Sequence, residues 1–153
     1  MLTAEKIIHL LELKPLPVEG GYYRETYRSG SSLATAIYYL LTPDTFSALH
    51  RLRSDEIYHF YLGDPVEMLL LHADGSGKLI KLGTDLMKDM RPQFVVPGGV
   101  WQGSKLLTGG KFALLGTVMA PGFELSDYEA GNRKGLLETY GQYRDLVIAL
   151  TQD

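Results

Sequence analysis

Cysteine is absent from the sequence, which excludes disulfides, thiolate catalysis and sulfur-ligated metal centres and suits a reducing compartment. Charge of one sign is not in excess either. The net charge is −3, and the close basic pairs Arg51/Arg53 and Arg133/Lys134 do not make the clustered basic face that nucleic acid demands. Long hydrophobic runs are also missing: the most apolar stretch, Leu33 to Leu41, is too short to cross a bilayer. Met1 to Lys6 lacks the basic-then-apolar order of a secretory signal. There is no glycine-rich phosphate loop between a strand and a helix and no His-Glu-x-x-His helix, and Ser54-Asp55-Glu56 is not a triad. The expectation is a cytoplasmic, soluble protein with no membrane and no nucleic-acid partner.

What is present reads as one domain over residues 1–153, long enough to bury roughly 70% of the surface that its unfolded chain exposes. Ala4, Ile7, Ile8 and Leu11 recur at helical spacing after Thr3, a capping residue, and Pro15 and Pro17 stop the helix. From Gly20-Gly21 onward the pattern is that of strands. Tyr22–Tyr27, Leu33–Leu41, Phe46–His50, Val66–Leu71, Lys78–Leu82, Gln93–Val96, Val100–Leu107, Phe112–Met119 and Phe123–Tyr128 are separated by Gly, Pro, Asp and Ser turns. This density of short strands predicts an all-β sandwich or barrel. The tail changes period: Leu136, Tyr140, Tyr143, Val147 and Leu150 form a helical stripe. Gly141 weakens that stripe and predicts a split. Its two readings are packing on the barrel and a dimer seam.

The centre of the pattern is the stretch from His50 to Gly63. An imidazole ends one apolar strand, a charged turn follows, and Glu56 opens the next strand. An antiparallel return lets both side chains face one interior, where a polar pair is costly unless it binds, hydrogen-bonds or reacts. Counting alternately from Glu56, Tyr58 and Phe60 share its face while His59 points away. Tyr22, Tyr23, Tyr38 and Tyr58 suggest an aromatic-lined cavity, and Arg24 and Arg51 are candidates for an anionic ligand. Trp101 either stacks on a ligand or seals a core. His9 and His72 read as surface residues.

The spacing histidine, five residues, Glu56, six residues, Gly63 matches the first cupin motif, and Pro97-Gly98-Gly99 with Gln102 resembles the second. Four words in order extend the match across nearly the whole chain: Glu19-Gly-Gly-Tyr-Tyr-Arg-Glu-Thr26, Ser54-Asp-Glu-Ile-Tyr-His-Phe60, Val96-Pro-Gly-Gly-Val-Trp-Gln102 and Ala120-Pro-Gly-Phe123. The sequence thus resembles the uncharacterised Cupin-5 branch of the cupin superfamily. That resemblance implies a double-stranded β-helix, the cupin jelly-roll barrel, with a short N-terminal helix and a C-terminal helical segment. It also implies a homodimer and RmlC-like similarity to dTDP-sugar epimerases, without supplying a reaction.

Metal-binding cupins commonly use three imidazoles and a carboxylate. Here Leu52 and Gln102 stand at two of those positions, so a divalent metal would have only His50, Glu56 and Gln102. No cofactor is otherwise implied. Three readings follow, all with a small-molecule ligand. The first is an isomerase or epimerase of a carbonyl-activated sugar or nucleotide sugar, with His50 as base, Glu56 orienting it and Tyr58 returning a proton. Its ligand-binding residues are Tyr22, Arg24, Tyr38, Phe60, Trp101 and Gln102. The second is a non-catalytic binding or sensing module, and the third a metal-dependent enzyme.

Overall fold

The computed structural model describes residues 1–152. Among them, helix α1 (Ala4–Leu10) is followed by β1 (Lys14–Pro15), β2 (Tyr22–Arg28), β3 (Thr35–Leu41), β4 (Ser47–Arg51), β5 (Glu56–Gly63) and β6 (Val66–Leu71). Next come β7 (Gly77–Leu82), β8 (Met90–Arg91), β9 (Gln93–Val96), β10 (Trp101–Leu106), β11 (Ala113–Met119) and β12 (Glu129–Ala130), then α2 (Arg133–Thr139) and α3 (Arg144–Ala149). The strands form two six-stranded sheets, ordered β1-β2-β3-β11-β5-β9 and β12-β4-β10-β6-β7-β8. All pairings are antiparallel except β7 with β8. This is the expected double-sheet, mostly β architecture with short terminal helices.

Local chemistry explains the helices. Thr3 caps α1 by accepting from Lys6 N, and Leu11 ends it before Glu12, whose φ is 55°. Asn132 caps α2 by accepting from Gly135 N. The C-terminal stripe does split: Tyr140 ends α2, a 3-10 turn follows at Gly141–Tyr143, and α3 resumes at Arg144.

Alternation along the strands sorts the side chains into three cores. Between the sheets lie Tyr39, Leu41, Phe60, Val66, Met68, Leu70, Leu82 and Leu115. Outside the first sheet, α1 brings Ile7 onto Leu40 and Leu114. Outside the second, α2 and α3 bring Leu136, Tyr140, Val147 and Leu150 onto Leu49, Leu69 and Leu71.

One expected strand is different. Residues 125–127 form a 3-10 turn, and pairing resumes only at Glu129–Ala130, which joins β4. Side chains satisfy the backbone of Phe123, whose N donates to Thr35 Oγ1 and whose O accepts from Arg28 Nη2. Backbone turns follow, Asp127 N donating to Glu124 O and Tyr128 N to Leu125 O.

Candidate functional site

Two junctions assemble the polar end of the barrel. In the first, Gly20 and Gly21 have φ of 96° and 76°, which glycine alone adopts freely. A Cβ on Gly20 would collide with the Phe46 carbonyl, and one on Gly21 with the Tyr39 ring. This close passage places Glu19 beside β4, with Ala48 N donating to Glu19 O at 2.8 Å and Ser47 Oγ to Glu19 Oε2 at 3.0 Å. In the second, the Pro97–Gly99 corner packs on the turn between β4 and β5. Gly98 N donates to Asp55 Oδ1 and Gly99 N to Leu52 O, each at 2.8 Å. The corner leads into β10 with Gln102 opposite His50.

A bulge decides what β4 points inward. Gln102 pairs with His50, but Ser104 pairs with Ser47, so β4 carries one extra residue between them. Cross-strand partners share a face. Ser47 and His50, which ordinary alternation would put on opposite faces, therefore both turn inward and both reach Glu19.

The resulting network is almost sealed from water. His50 is 1% exposed, Gln102 2% and Glu56 7%. His50 Nδ1 lies 2.7 Å from Ala48 O; a carbonyl only accepts, so Nδ1 carries the proton. Nε2 lies 3.6 Å from Glu19 Oε1, and this contact is attractive only when a proton sits on one of the two. The Tyr128 ring stacks on the imidazole with centroids 5.0 Å apart. Gln102 bridges the other carboxyl: Tyr58 OH donates to its Oε1 at 2.7 Å, and its Nε2 donates to Glu56 Oε1 at 3.1 Å. Burial raises the Glu56 carboxyl above the ordinary carboxylate range and nearby Glu19 raises it further, with His50 and Thr117 partly opposing. Burial likewise holds the Tyr39 and Tyr58 phenols well above their ordinary value, with neighbouring carboxylates adding to it.

This network forms one side of a cavity of about 530 Å³ at the open end of the barrel. The inner faces of β2, β3, β5 and β11 and the segments 16–19 and 123–128 enclose it. The inward rows are set by register. Tyr23, Tyr39, Leu115 and Phe60 form the deepest, Glu25, Ile37, Thr117 and Tyr58 the next, and Arg28, Thr35, Met119 and Glu56 the outermost. A bulge at Thr26 brings Arg28 inward although Glu25 is also inward.

Residues 5–131 match the family profile Cupin_5, described as cupin superfamily (DUF985). The chain belongs to this cupin family. It is 32% identical over 133 residues to the uncharacterized protein YML079W of Saccharomyces cerevisiae, a match spanning 72% of this chain and 66% of the yeast protein. Among solved structures, protein SO0799 from Shewanella oneidensis superposes with a TM-score of 0.93 at 35% identity, covering 99% of both chains. A hypothetical protein from Leishmania major gives 0.92 at 30% identity, covering 99% of this chain and 100% of the other. Oxalate decarboxylase from Bacillus subtilis, at 14% identity and TM-score 0.61 over 94% of this chain and 39% of its own, shares the fold.

Within this cupin the residues nominated from sequence fall in different places. Glu56 and Tyr58 line the cavity, and His50 and Gln102 stand directly behind them. The partner at His50 Nε2 is Glu19, and the tautomer is held by Ala48 O; neither role falls to Glu56. Phe60 is deeper, in the apolar core. Tyr22 and Tyr38 are one position out of phase with the cavity and pack outside the first sheet, Tyr38 edge-on to Tyr61. Arg24 lies on that same outer side, donating to Leu11 O and pairing with Glu12. Trp101 packs outside the second sheet beneath the C-terminal helices, with the Arg51 guanidinium 4.6 Å from its ring centre. Arg51 is itself bidentate on Glu129. Glu19, Glu25, Arg28, Thr117 and Tyr128 line the cavity without having been nominated. Glu19 stood in one of the four family words, whereas nothing local marked Tyr128.

The donor set does not fit a divalent metal. Gln102 Oε1 is taken by Tyr58, its amide nitrogen faces Glu56, and His50 Nε2 faces Glu19. No group of three His, Cys, Asp or Glu side chains among the described residues is placed to hold an ion.

Proposed function

We propose that this cupin binds a small molecule in the barrel mouth and moves a proton on it at a carbon made acidic by a neighbouring carbonyl, the chemistry of an isomerase or epimerase. The observation that carries this reading is the pair of carboxyls, Glu19 and Glu56, that share the cavity wall in unlike surroundings. Two titratable groups held apart in this way divide naturally into base and acid. Glu56, with its raised affinity for protons, donates to the developing oxyanion. Glu19 takes the proton from carbon. Glu19 then delivers the proton to the neighbouring carbon while Glu56 takes a proton back from the other enediol oxygen, which gives the isomer with no proton or electron lost overall. His50 does not line the cavity; its Nε2 stands 3.6 Å from Glu19, and it acts through Glu19 as a positioning residue. Tyr58 keeps its proton and holds Gln102 in place.

The lining also supports a ligand without phosphates. Its one cationic side chain, Arg28, is already paired with Glu25 and Glu124. The test is solvent exchange in D2O, followed by proton NMR over a panel of ketoses and short ketones. Deuterium enters the carbon next to the carbonyl with the wild type, and Glu19→Gln slows this by about 100-fold or more. A compound that raises the melting temperature without exchanging would instead select the non-catalytic binding or sensing role.

A further inference from the structure

Resting on the reading of this cavity as a ligand site, we infer that its occupant is a small organic cation, an amine or quaternary ammonium, seated against aromatic rings beside Glu19 and Glu56. Charge is the first argument. Glu19, Glu25, Glu56 and Glu124 line the cavity against the single cation Arg28. Arg28 has no spare donor to offer: Nε and Nη2 are bidentate on Glu25, Nη2 also reaches Phe123 O, and Nη1 reaches Glu124 and Ser32. Arg28 answers only one of the two carboxylates it touches, so the cavity keeps a net negative charge even with Glu56 protonated and a proton between Glu19 and His50. An anionic ligand is repelled there and a cation attracted.

The walls are the second argument. Tyr23, Tyr39, Tyr58, Phe123 and Tyr128 contribute rings to one cavity. Two of them are tethered by their hydroxyls, Tyr39 to Gly20 O and Tyr58 to Gln102, both at 2.7 Å. An aromatic lining held in place in this way favours a cation whose charge is spread over carbon-bearing groups. A bare metal ion would need a ligand cluster, which the described residues do not supply.

The third observation is independent of both. The Tyr128 hydroxyl is buried in the cavity wall and has no hydrogen-bond partner, a state that ordinarily costs stability. Its oxygen can accept from the N–H of a primary ammonium and its O–H can donate to an oxygen of the occupant, whereas a quaternary ammonium would engage the rings alone. The volume of about 530 Å³ suits a molecule of metabolite size.

Matched triads decide the matter, measured by calorimetric titration at low salt: choline, 3,3-dimethylbutanol and 3,3-dimethylbutanoate, then benzylamine, benzyl alcohol and benzoate. The ammonium member of at least one triad binds about 10-fold or more tightly than its alcohol, and the carboxylate is the weakest. Glu19→Gln cuts the ammonium-over-alcohol preference by about 10-fold. Glu124→Gln, at a 53% exposed rim side chain whose loss the fold tolerates, cuts it about twofold. An alcohol or carboxylate binding as well as its ammonium partner overturns the cation assignment but leaves the cavity as a ligand site. Absence of binding by every member at its solubility limit overturns both.

Discussion

Along β5 the inward side chains run from Phe60 to Tyr58 to Glu56, and along β10 from Leu106 to Ser104 to Gln102. Along β11, Ala113 and Leu115 give way to Thr117. The same strands therefore build two interiors, an apolar closed end and a polar mouth, only two or three residues apart. Both are buried, so burial does not distinguish them. What does is the fate of the polar atoms. The closed end has almost none to satisfy, and its apolar contacts contribute stability directly. The mouth satisfies its own through a chain of hydrogen bonds, Tyr58 to Gln102 to Glu56 and Ser47 to Glu19, yet leaves Ser104 Oγ and Tyr128 OH without partners. Such residues weaken a core and are tolerated where a site needs them. One end stabilises the fold, and the other spends part of that stability.

The sharpest way to break this contrast is at the closed end. Leu115→Ala removes a fully buried side chain and lowers unfolding free energy by about 2–5 kcal/mol in urea denaturation. A loss below about 1 kcal/mol would show that the apolar end is not the stabilising one. Next in size is Tyr58→Phe, which deletes the donor to Gln102 Oε1 and strands a buried acceptor. It costs about 1–3 kcal/mol despite conserving volume.

Glu56→Gln goes in the opposite direction and carries a pH signature. In the folded wild type this carboxyl holds its proton above the ordinary value of 4.5, where the unfolded chain has lost it. The unfolded state therefore binds fewer protons across that window, so wild-type stability falls as pH rises through it. Glutamine keeps an acceptor for Gln102 but does not titrate. Melting curves should then show little difference near 4.5, and a variant more stable by about 1 kcal/mol at neutral pH and above. A gap that shrinks with rising pH would falsify the assignment of Glu56 as a desolvated acid. Smallest is Glu124→Gln at the rim, whose pairing with Arg28 is half in solvent. Its stability stays within about 0.5 kcal/mol of wild type, which makes it the control for charge effects on binding.

Much of the architecture was legible before any coordinates. The glycine and proline punctuation located nine strands of four or more residues to within a residue or two, and Gly141 announced the break in the C-terminal stripe. His59 was rightly placed outside the barrel, where it stacks on Tyr61. Which tyrosines face the cavity was much less legible. Tyr22 and Tyr23 are adjacent, as are Tyr38 and Tyr39, and a period of two makes a slip of one residue exchange inside for outside. Tyr23 and Tyr39 are the inward ones because α1 covers the opposite face with Ile7, and the turn after it adds Leu13, which no pattern within β2 or β3 reveals.

What the sequence determined by itself was the spacing of strands and turns, the capped first helix, the family, and the presence of His50, Glu56 and Gln102 in one barrel. These are properties of neighbouring residues, read from propensity and periodicity. The partner of His50 was decided only in three dimensions. Glu19 arrives through a glycine pair that passes against β4, and Ser47 and His50 reach it together because a bulge shifts their parity. Glu19 and His50 lie 31 positions apart in the sequence. Their meeting depends on backbone register between strands, which a local hydrophobic pattern does not encode.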